Sequence, residues 1–377
     1  MNTIWPGVGW AGLVGWLLLR VVRQGQAWDR QALPTERAKA EMPSVHVIVP
    51  ARNEAMNIAD CLASLDRRDD PAGCVRITVV DDGSTDETAA CVRTSGQAAL
   101  LTAGALPPGW LGKPHACWRG AMEADTEWLC FIDADVRAAP ALLASAVARA
   151  EADGLALLSV QPFQDLGSFW ERLVIPAGML MIACASPRQA AGITVNGQFL
   201  LVRASAYRQV GGHAAVRGEV CEDNALARLL QAGGFRVAVA AGEHLARVRM
   251  YCGLASLWEG FAKNAVDIIG SDRGTAAAAG AGVLVAWGVP LVPVCLALGR
   301  STGTASTAGL MLACVASCVA LGVQAATLRH FRTSLLLLPL LPVGVTVAAA
   351  IAAQSIRLRR AGEVRWKGRN YQMPGWR

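Results

Sequence analysis

The chain has 377 residues, a formal net charge of +6, 53% hydrophobic residues and only 17% charged residues. That composition is too apolar for a purely soluble protein, and the length allows one sizeable domain together with membrane segments. The positive charge lies mainly beside apolar segments, with no basic stripe interleaved with aromatic residues. This argues against nucleic acid as a partner and favours anionic lipid headgroups. The eleven cysteines form no C-x-x-C pair, so neither a disulfide framework nor a zinc site is expected, and free thiols suit a cytoplasmic domain.

The first segment, residues 4–22, is apolar apart from Arg20 and is long enough to span a bilayer. Basic residues follow it at Arg23, Arg30, Arg37 and Lys39. A cleaved signal peptide is the competing interpretation, but the segment has neither a basic n-region nor a clear small-x-small cleavage site. Residues 1–23 are therefore predicted to be an uncleaved anchor, and the positive-inside rule places the next residues in the cytoplasm.

The central domain, residues 40–270, alternates short apolar runs with helical patterns, which is typical of a parallel α/β sheet. Within it, residues 168–186 form an apolar segment that is either a helix lying on the bilayer surface or a core helix. The predicted strands are 45–49, 77–80, 98–101, 128–132, 155–160, 198–202 and 235–240, and the predicted helices are 57–65, 86–93, 113–123 and 222–231.

Two carboxylates, Asp133 and Asp135, directly follow the apolar run 128–132. Ligands of open α/β sheets bind outside the carboxyl ends of the strands. Two aspartates one residue apart at such an edge can hold a divalent cation, and that cation can hold a diphosphate. The alternative is that these acids simply begin a surface loop.

Polar residues also follow the first two predicted strands, at 50–54 (P-A-R-N-E) and 81–86 (D-D-G-S-T-D). Helix capping explains residues 84–86, but it does not explain Asp81 and Asp82, which could accept hydrogen bonds from a uracil imide or ribose hydroxyls. No G-x-G-x-x-G motif follows the first strand, which argues against a nicotinamide dehydrogenase, and the sequence has no G-x-x-x-x-G-K-[ST] phosphate-binding loop either. A nucleotide is therefore expected to be held by carboxylates and a metal.

Two further residues have an open interpretation. Lys113 stands at a predicted helix start, where the helix dipole opposes its charge, so an anionic ligand is one explanation and a solvated lysine the other. Asp223 opens the helix 222–231 and could deprotonate an acceptor hydroxyl, although plain helix capping would also account for it.

Residues 271–356 are predicted to be a membrane region with three segments, at about 276–299, 308–328 and 333–356, and residues 357–377 a basic tail. Three full spans would place this tail outside, whereas the positive-inside rule places it in the cytoplasm. Pro339 and Pro342 interrupt the last segment. We therefore expect that segment to be re-entrant or broken.

In order and spacing, these elements resemble the family 2 glycosyltransferases with a GT-A fold, over about residues 40–270. The matching stretches are 47–54 (V-I-V-P-A-R-N-E), 79–86 (V-V-D-D-G-S-T-D), 110–113 (W-L-G-K), 131–135 (F-I-D-A-D) and 222–223 (E-D). Stretches 196–203, 211–213, 249–251, 258–264 and 366–371 are similar to the membrane-bound branch that glycosylates isoprenoid lipids, including carotenoid-acid and hopene-associated enzymes. The Q/R-x-x-R-W motif of processive synthases has Gly362 at its first position here, which argues against processive synthesis.

The resemblance implies an inverting displacement in which Asp223 is the general base and Asp135, with Asp133, holds Mg²⁺ or Mn²⁺. It implies a nucleotide-sugar donor, a UDP-sugar, and a membrane lipid or isoprenoid acceptor reached from the cytoplasmic face of the inner membrane. The implied donor-binding residues are Pro50, Arg52, Asn53, Glu54, Asp81, Asp82, Lys113, Asp133, Arg247 and Arg249. Those implied at the acceptor entrance or behind the site are Gln198, Glu222, Trp258, Lys263, Asn264, Trp366 and Arg369.

Two other functions remain open from the sequence. A nucleotidyltransferase could share the sheet and the D-x-D pair, but it would need a glycine-rich, basic triphosphate loop that the sequence lacks. A non-catalytic membrane protein could keep the domain as a binding or transport module. The carboxylates retained at all three sites, Asp81 and Asp82, Asp133 and Asp135, and Asp223, argue against this.

Overall fold

The structure, a computed structural model, describes residues 3–29, 32–34, 42–65, 73–185 and 194–372. Some predicted positions lie outside these residues. They are Arg30, Arg37 and Lys39, the first residue of the central domain (40), the last residue of the apolar segment 168–186, and residues 373–377 of the tail. The strands are β1 (Val45–Ala51), β2 (Val75–Asp81), β3 (Ala99–Thr102), β4 (Trp128–Ile132), β5 (Val136–Ala138), β6 (Leu157–Gln161), β7 (Phe163–Gln164), β8 (Phe199–Arg203), β9 (Val237–Ala241), β10 (Ala246–Val248), β11 (Glu363–Trp366) and β12 (Arg369–Gln372).

The helices of the central domain surround its sheet, and the longer apolar helices follow it. They are α1 (Trp5–Asp29), α2 (Ile58–Ser64), α3 (Thr88–Ser95), α4 (Gly112–Met122), α5 (Leu142–Ala152), α6 (Phe169–Ala185), α7 (Ala204–Gln209), α8 (Gly212–Ala215), α9 (Glu222–Ala232), α10 (Leu254–Ile269), α11 (Asp272–Ser301), α12 (Thr307–His330), a 3₁₀ helix (Leu335–Leu340) and α13 (Leu341–Ala361).

Seven strands of the described chain form the main sheet, in the order β3-β2-β1-β4-β8-β6-β9. The predicted α/β class is confirmed, but the sheet is mixed, because β8 runs antiparallel to both β4 and β6. The reason is that β8 is apolar and buried along nearly its whole length, as a parallel strand would be, so its pattern does not encode its direction. The order brings the carboxyl ends of β1, β2 and β4 to one edge.

Helices cover the main sheet on both faces, and the side chains of β1 alternate between the two layers. Val47 and Val49 pack in one apolar cluster with Leu62 of α2. Ile48 packs in the other cluster with Cys117 of α4 and Leu226 of α9. The helices that begin at the strand ends are thereby fixed against the sheet, and so are the residues in their first turns.

Among the described residues, three helical segments are long and apolar enough to cross a membrane: Asp272–Ser301, Thr307–His330 and Leu335–Ala361. The apolar part of the N-terminal helix, Trp5–Leu19, is shorter. That helix, α1, packs along α12, where Trp10 Nε1 donates a hydrogen bond to Ser317 Oγ at 3.0 Å.

The segment predicted as either an interfacial or a core helix is α6. Its Leu173 and Ala177 are buried in one cluster with Ala286 of α11 and Leu341 and Val345 of α13. The described residues of α6 therefore favour the core interpretation.

The chain end differs from the predicted basic tail. Residues 357–361 complete α13, and residues 363–372 form a β-hairpin of β11 and β12, which we call the C-terminal hairpin. The hairpin forms because Val364 is buried with Val220 and because Lys367 and Gly368 both have positive φ, as a tight hairpin turn requires.

Candidate active site

A cavity of about 430 Å³ opens at the sheet edge where β1, β2 and β4 end. It collects side chains from five parts of the fold: the strand ends, the starts of α4 and α9, α10, and the C-terminal hairpin. The predicted residues that line it are Pro50, Arg52, Asn53, Glu54, Asp82, Lys113, Asp133, Asp135, Gln198, Glu222, Asp223, Lys263, Asn264 and Trp366.

Lys113, in the first turn of α4, joins two of the acids. Its Nζ lies 2.7 Å from Asp133 Oδ1 and 3.3 Å from Glu222 Oε1. Burial alone would lower the pKa of Lys113, but the charges of Asp133 and Glu222 outweigh burial and hold the pKa well above its usual range. The lysine is therefore a permanent cation between the end of β4 and the start of α9, which is the property an anion-binding residue needs.

Asp135 is the acid with the least support from the protein. Its Oδ1 is buried and has no hydrogen-bond partner among the described residues. Burial, followed by the charges of Asp133 and Glu54, raises the pKa of Asp135 to about 7. A buried carboxylate oxygen without a partner is costly, and a bound cation would remove that cost.

Asp223 lies in the first turn of α9, with its carboxylate against the backbone of Gly197. A Cβ added at Gly197 would stand 2.9 Å from Asp223 Oδ2, so this close approach requires glycine. Asp223 Oδ1 accepts a hydrogen bond from the backbone N of Asn224 at 2.7 Å. Burial, followed by the charge of Glu222, raises the pKa of Asp223 to about 6. The helix cap is Cys221, which makes no side-chain cap hydrogen bond, so capping does not explain Asp223.

The loops after β1 and β2 are joined to each other by hydrogen bonds. Arg52 Nη1 donates to the carbonyl oxygens of Asp82 at 2.6 Å and Gly83 at 2.7 Å. Asn53 has a left-handed backbone (φ 53°), and its Oδ1 accepts from Thr85 N at 2.8 Å. Asp81 Oδ1 accepts from Ser84 N at 3.0 Å, so this acid closes its own turn and does not line the cavity.

Asp82 has one paired oxygen and one free oxygen. Its Oδ2 accepts from Arg369 Nη1 of β12 at 2.5 Å. Its Oδ1 is buried and has no hydrogen-bond partner among the described residues. Burial raises the pKa of Asp82 even though Arg369 opposes the shift. A buried acceptor of this kind suits a donor group on a nucleotide base or ribose.

Three of the residues predicted near the acceptor line the cavity at different elements: Lys263 and Asn264 on α10, and Gln198 just before β8. Lys263 Nζ stands 4.0 Å from the ring centroid of Trp366, and Asn264 Oδ1 is buried without a hydrogen-bond partner in the described part of the chain. Gln198 Oε1 accepts from Gln164 Nε2 at 3.0 Å and from Asn196 Nδ2 at 2.9 Å, so Gln198 is fixed in place.

Two predicted donor-binding residues, Arg247 and Arg249, do not line the cavity. Arg247 makes a two-pronged ion pair with Asp165 at 2.5 and 3.0 Å. Arg249 pairs at 3.3 Å with Glu171, whose side chain is fully buried. Burial would raise the pKa of Glu171, but hydrogen bonds from Ser168, backbone amides and Arg249 outweigh burial and lower the pKa to about 2. Both arginines are paired with neighbouring carboxylates and are not brought to the cavity, so a contact of either with the donor stays a prediction.

Trp258 also lies away from this cavity. It lines a separate groove with Arg369, between α10 and the C-terminal hairpin. Conversely, Lys367 lines the main cavity although no role was predicted for it. The available signal was Gly368 after Lys367, between the alternating run 363–366 and the short run 369–372, because glycine at such a position favours a two-residue hairpin turn.

Comparison with known proteins agrees with this geometry. Residues 46–182 match the family model described as glycosyl transferase family 2. The 4,4'-diaponeurosporenoate glycosyltransferases of Staphylococcus aureus strains MRSA252 and USA300 are each 30% identical to the chain over 247 residues. That alignment covers 62% of this chain and 64% of each relative, so the match spans slightly less than two thirds of the relatives' length.

Among solved structures, the mannosyltransferase PcManGT from Pyrobaculum calidifontis, in complex with GDP-Man and Mn²⁺, superposes with a TM-score of 0.55 and 19% identity. The superposition covers 93% of this chain and 98% of that protein, and it shows a shared fold. The family match, the mixed sheet and the acids at its edge agree: residues 46–182 match the family 2 glycosyltransferases, and the central domain has the GT-A fold.

Proposed function

We propose that the protein transfers a sugar from a nucleotide diphosphate sugar, of the UDP-sugar class, to a membrane lipid or isoprenoid acceptor. The transfer is inverting and non-processive, and the accepting group is a hydroxyl or a carboxylate. The observation that carries the proposal is the ion-paired cluster of Lys113, Asp133 and Glu222 beside Asp223 in one cavity. The staphylococcal relatives are named for diaponeurosporenoate, which supports an isoprenoid acceptor.

Asp135 and Asp133 would hold a divalent cation, Mg²⁺ or Mn²⁺. The partnerless Oδ1 of Asp135 supports this assignment, because carboxylate oxygens are the preferred ligands of both ions. In the described part of the chain, no group of three or more His, Cys, Asp or Glu side chains forms a ready metal cage. Donor phosphates would therefore complete the coordination, and PcManGT, which has the same fold, was solved with GDP-Man and Mn²⁺. When bound, the cation would neutralise charge on the departing diphosphate.

The remaining steps belong to the protein's own side chains. Asp223 would take the proton from an acceptor hydroxyl as the oxygen attacks the anomeric carbon. Lys113 would stabilise the negative charge of the leaving group. Arg52, Asn53 and Pro50 would shape the nucleotide side, where the free Oδ1 of Asp82 could accept a hydrogen bond from the base.

A transfer assay with the full chain in lipid nanodiscs tests this function. UDP-glucose or another UDP-sugar, Mn²⁺ and an isoprenoid lipid extract should give free UDP together with a glycolipid, and a chelator should stop both. Nucleoside triphosphate and sugar phosphate should give no pyrophosphate. Pyrophosphate without UDP release would contradict transfer and would identify a nucleotidyltransferase.

We further propose a multi-pass protein of the cytoplasmic membrane, with the catalytic domain on the cytoplasmic face and the segment 335–361 re-entrant. Both ends of that segment are near the domain. His330, at the end of α12, lies 3.4 Å from Glu243 of the domain, and the hairpin after α13 contacts Arg52. A re-entrant segment removes the conflict between three spans and a basic tail, because both basic flanks then lie on one side.

The topology gives a direct prediction. An epitope fused after residue 377 should stay protected from antibody in intact spheroplasts of a bacterial host and become accessible after permeabilisation. An epitope inserted at the exposed Gly303, between α11 and α12, should be accessible in both states and serves as the control. Labelling of the C-terminal epitope in intact spheroplasts would contradict the re-entrant arrangement.

A further inference from the structure

The turn of the C-terminal hairpin holds a lysine in a conformation that lysine disfavours. Lys367 has φ 45° and Gly368 has φ 77°, so both turn residues are left-handed. Two-residue turns of this kind favour Asn, Asp or Gly, because other side chains crowd the backbone. A lysine at this position needs compensating contacts, and such backbone strain is common at functional sites.

Those contacts are made with the loop that follows β1. Lys367 Nζ donates to the carbonyl oxygen of Arg52 at 3.0 Å and forms an ion pair with Glu54. In return, Arg52 Nε donates to the carbonyl oxygen of Lys367 at 3.3 Å. The neighbouring Arg369 binds the Asp82 side chain and its carbonyl oxygen, the latter at 3.1 Å. The hairpin is thus seated on the nucleotide side of the cavity.

The Asp82–Arg369 pair that anchors this hairpin also packs closely against the start of α4. A Cβ added at Gly112 would stand 2.2 Å from Asp82 Oδ2 and 2.8 Å from Arg369 Nη1. The glycine that precedes Lys113 therefore allows the Asp82–Arg369 pair to approach α4. This brings Lys113, on α4, and Lys367, on the hairpin, to walls of the same cavity.

The ion pairs of Lys367 and Lys113 show which of the two lysines is held less firmly by the protein. The positive charges of Lys367 and Lys113 both act on Asp135. Lys113 is held by two carboxylates, whereas Lys367 is held by one, Glu54. Glu54 also accepts a hydrogen bond from Asn57 Nδ2 at 2.9 Å, so it keeps a partner if Lys367 leaves. Lys367 is therefore the cation that a ligand could recruit with less loss to the protein.

We propose that Lys367 is a donor-binding residue whose ammonium group moves from Glu54 to the terminal phosphate of the nucleoside diphosphate when the donor binds. This inference rests on the proposed function, because it assumes a nucleotide diphosphate sugar as donor. It assigns the C-terminal hairpin, which follows the last apolar helix, to the donor site of the catalytic domain. No bond is made or broken in this exchange.

The test compares nucleotides that do or do not carry the second phosphate. Calorimetry on the full chain in nanodiscs, at saturating Mn²⁺, would measure UDP against UMP and GDP against GMP. The variant Lys367→Asn removes the amine but supplies a residue that the left-handed turn favours, so the hairpin is preserved. We expect its diphosphate affinity to fall about tenfold, because a hydrogen bond to a charged group is lost, with monophosphate affinity unchanged. Lys367→Arg should recover part of the loss.

The exposed Arg93 of α3 provides the matched control, and Arg93→Gln should bind both nucleotides as the unmodified chain does. Unchanged or tighter diphosphate binding by Lys367→Asn overturns the inference, and tighter binding would show that the lysine blocks the site. An equal loss of affinity for the diphosphate and monophosphate nucleotides also overturns the inference, because it would mean that the substitution disturbs the nucleoside site. If the unmodified chain binds neither UDP nor GDP, the proposed donor class fails together with this inference.

Discussion

Asp223→Asn is expected to lower sugar transfer to a hydroxyl acceptor by about 10²–10⁴-fold, the range that a positioned general base contributes. The amide keeps the size of the carboxylate and can still accept a hydrogen bond from Asn224 N, so α9 should remain in place. Asparagine cannot take a proton at neutral pH, however. Binding of UDP with Mn²⁺ should therefore persist, because Asp223 is assigned to the acceptor and not to the diphosphate.

The measurement combines turnover with nucleotide binding. Since burial raises the pKa of Asp223 to about 6, the unmodified enzyme should gain activity as pH rises through about 6, where the base becomes ionised. The variant should lose that inflection. Glu87→Gln, at an exposed position before α3, is a control that removes a carboxylate that does not line the cavity. Loss of UDP binding in Asp223→Asn would contradict the assignment of Asp223 as base.

The same variant distinguishes the two accepting groups. A hydroxyl must lose its proton during attack, whereas a carboxylic acid with an ordinary pKa is already ionised at neutral pH. A carboxylate acceptor therefore has no proton for Asp223 to remove. Asp223→Asn should lower transfer to a carboxylate acceptor far less than transfer to a hydroxyl acceptor, so paired acceptors differing only in this group would show which one the site serves.

Much of the fold could be predicted because the buried strands are continuous apolar runs bounded by polar residues. The predicted strand 128–132 coincides with β4, and the first two strands extend the predicted ranges by only a few residues. The direction of β8 could not be predicted, since burial on both faces leaves no directional signal. The C-terminal hairpin could not be predicted for another reason. Its hydrogen bonds to Arg52 and Asp82 span 315 and 287 residues of sequence, and its basic composition is that of a solvated tail.

The residues of the candidate site also fall into those that could be predicted and those that could not. Asp133, Lys113 and Asp223 could be predicted to meet, because strand ends and helix starts converge at one edge of an α/β sheet. The partners of Arg247 and Arg249 could not be predicted from the sequence, because the carboxylates that they bind are brought near them only by the fold. In the structure those carboxylates are Asp165 and Glu171, and both lie outside the cavity.

Asp135→Ala is expected to abolish both sugar transfer and its stimulation by Mn²⁺. A bound divalent cation contributes several kcal/mol of charge stabilisation, so a loss of about 10³-fold or more is expected. UDP binding by the variant should equal that of the unmodified chain in chelator, and adding Mn²⁺ should not improve it. Asp135→Asn, which preserves the side-chain shape, should behave in the same way. Full activity of the unmodified chain in chelator would refute the metal role.

Stability provides the readout that separates a metal ligand from a structural residue. Asp135 Oδ1 is buried without a partner, and the nearby charges of Asp133 and Glu54 repel the carboxylate. Removing such a group relieves an electrostatic cost when no cation is present. Without metal, Asp135→Ala should therefore melt at the same temperature as the unmodified chain or higher, whereas Mn²⁺ with UDP should raise the melting temperature of the unmodified chain alone. A residue retained for cation binding is expected to lower the stability of the fold until the cation is bound. A lower melting temperature for the metal-free variant would instead mean that Asp135 supports the fold.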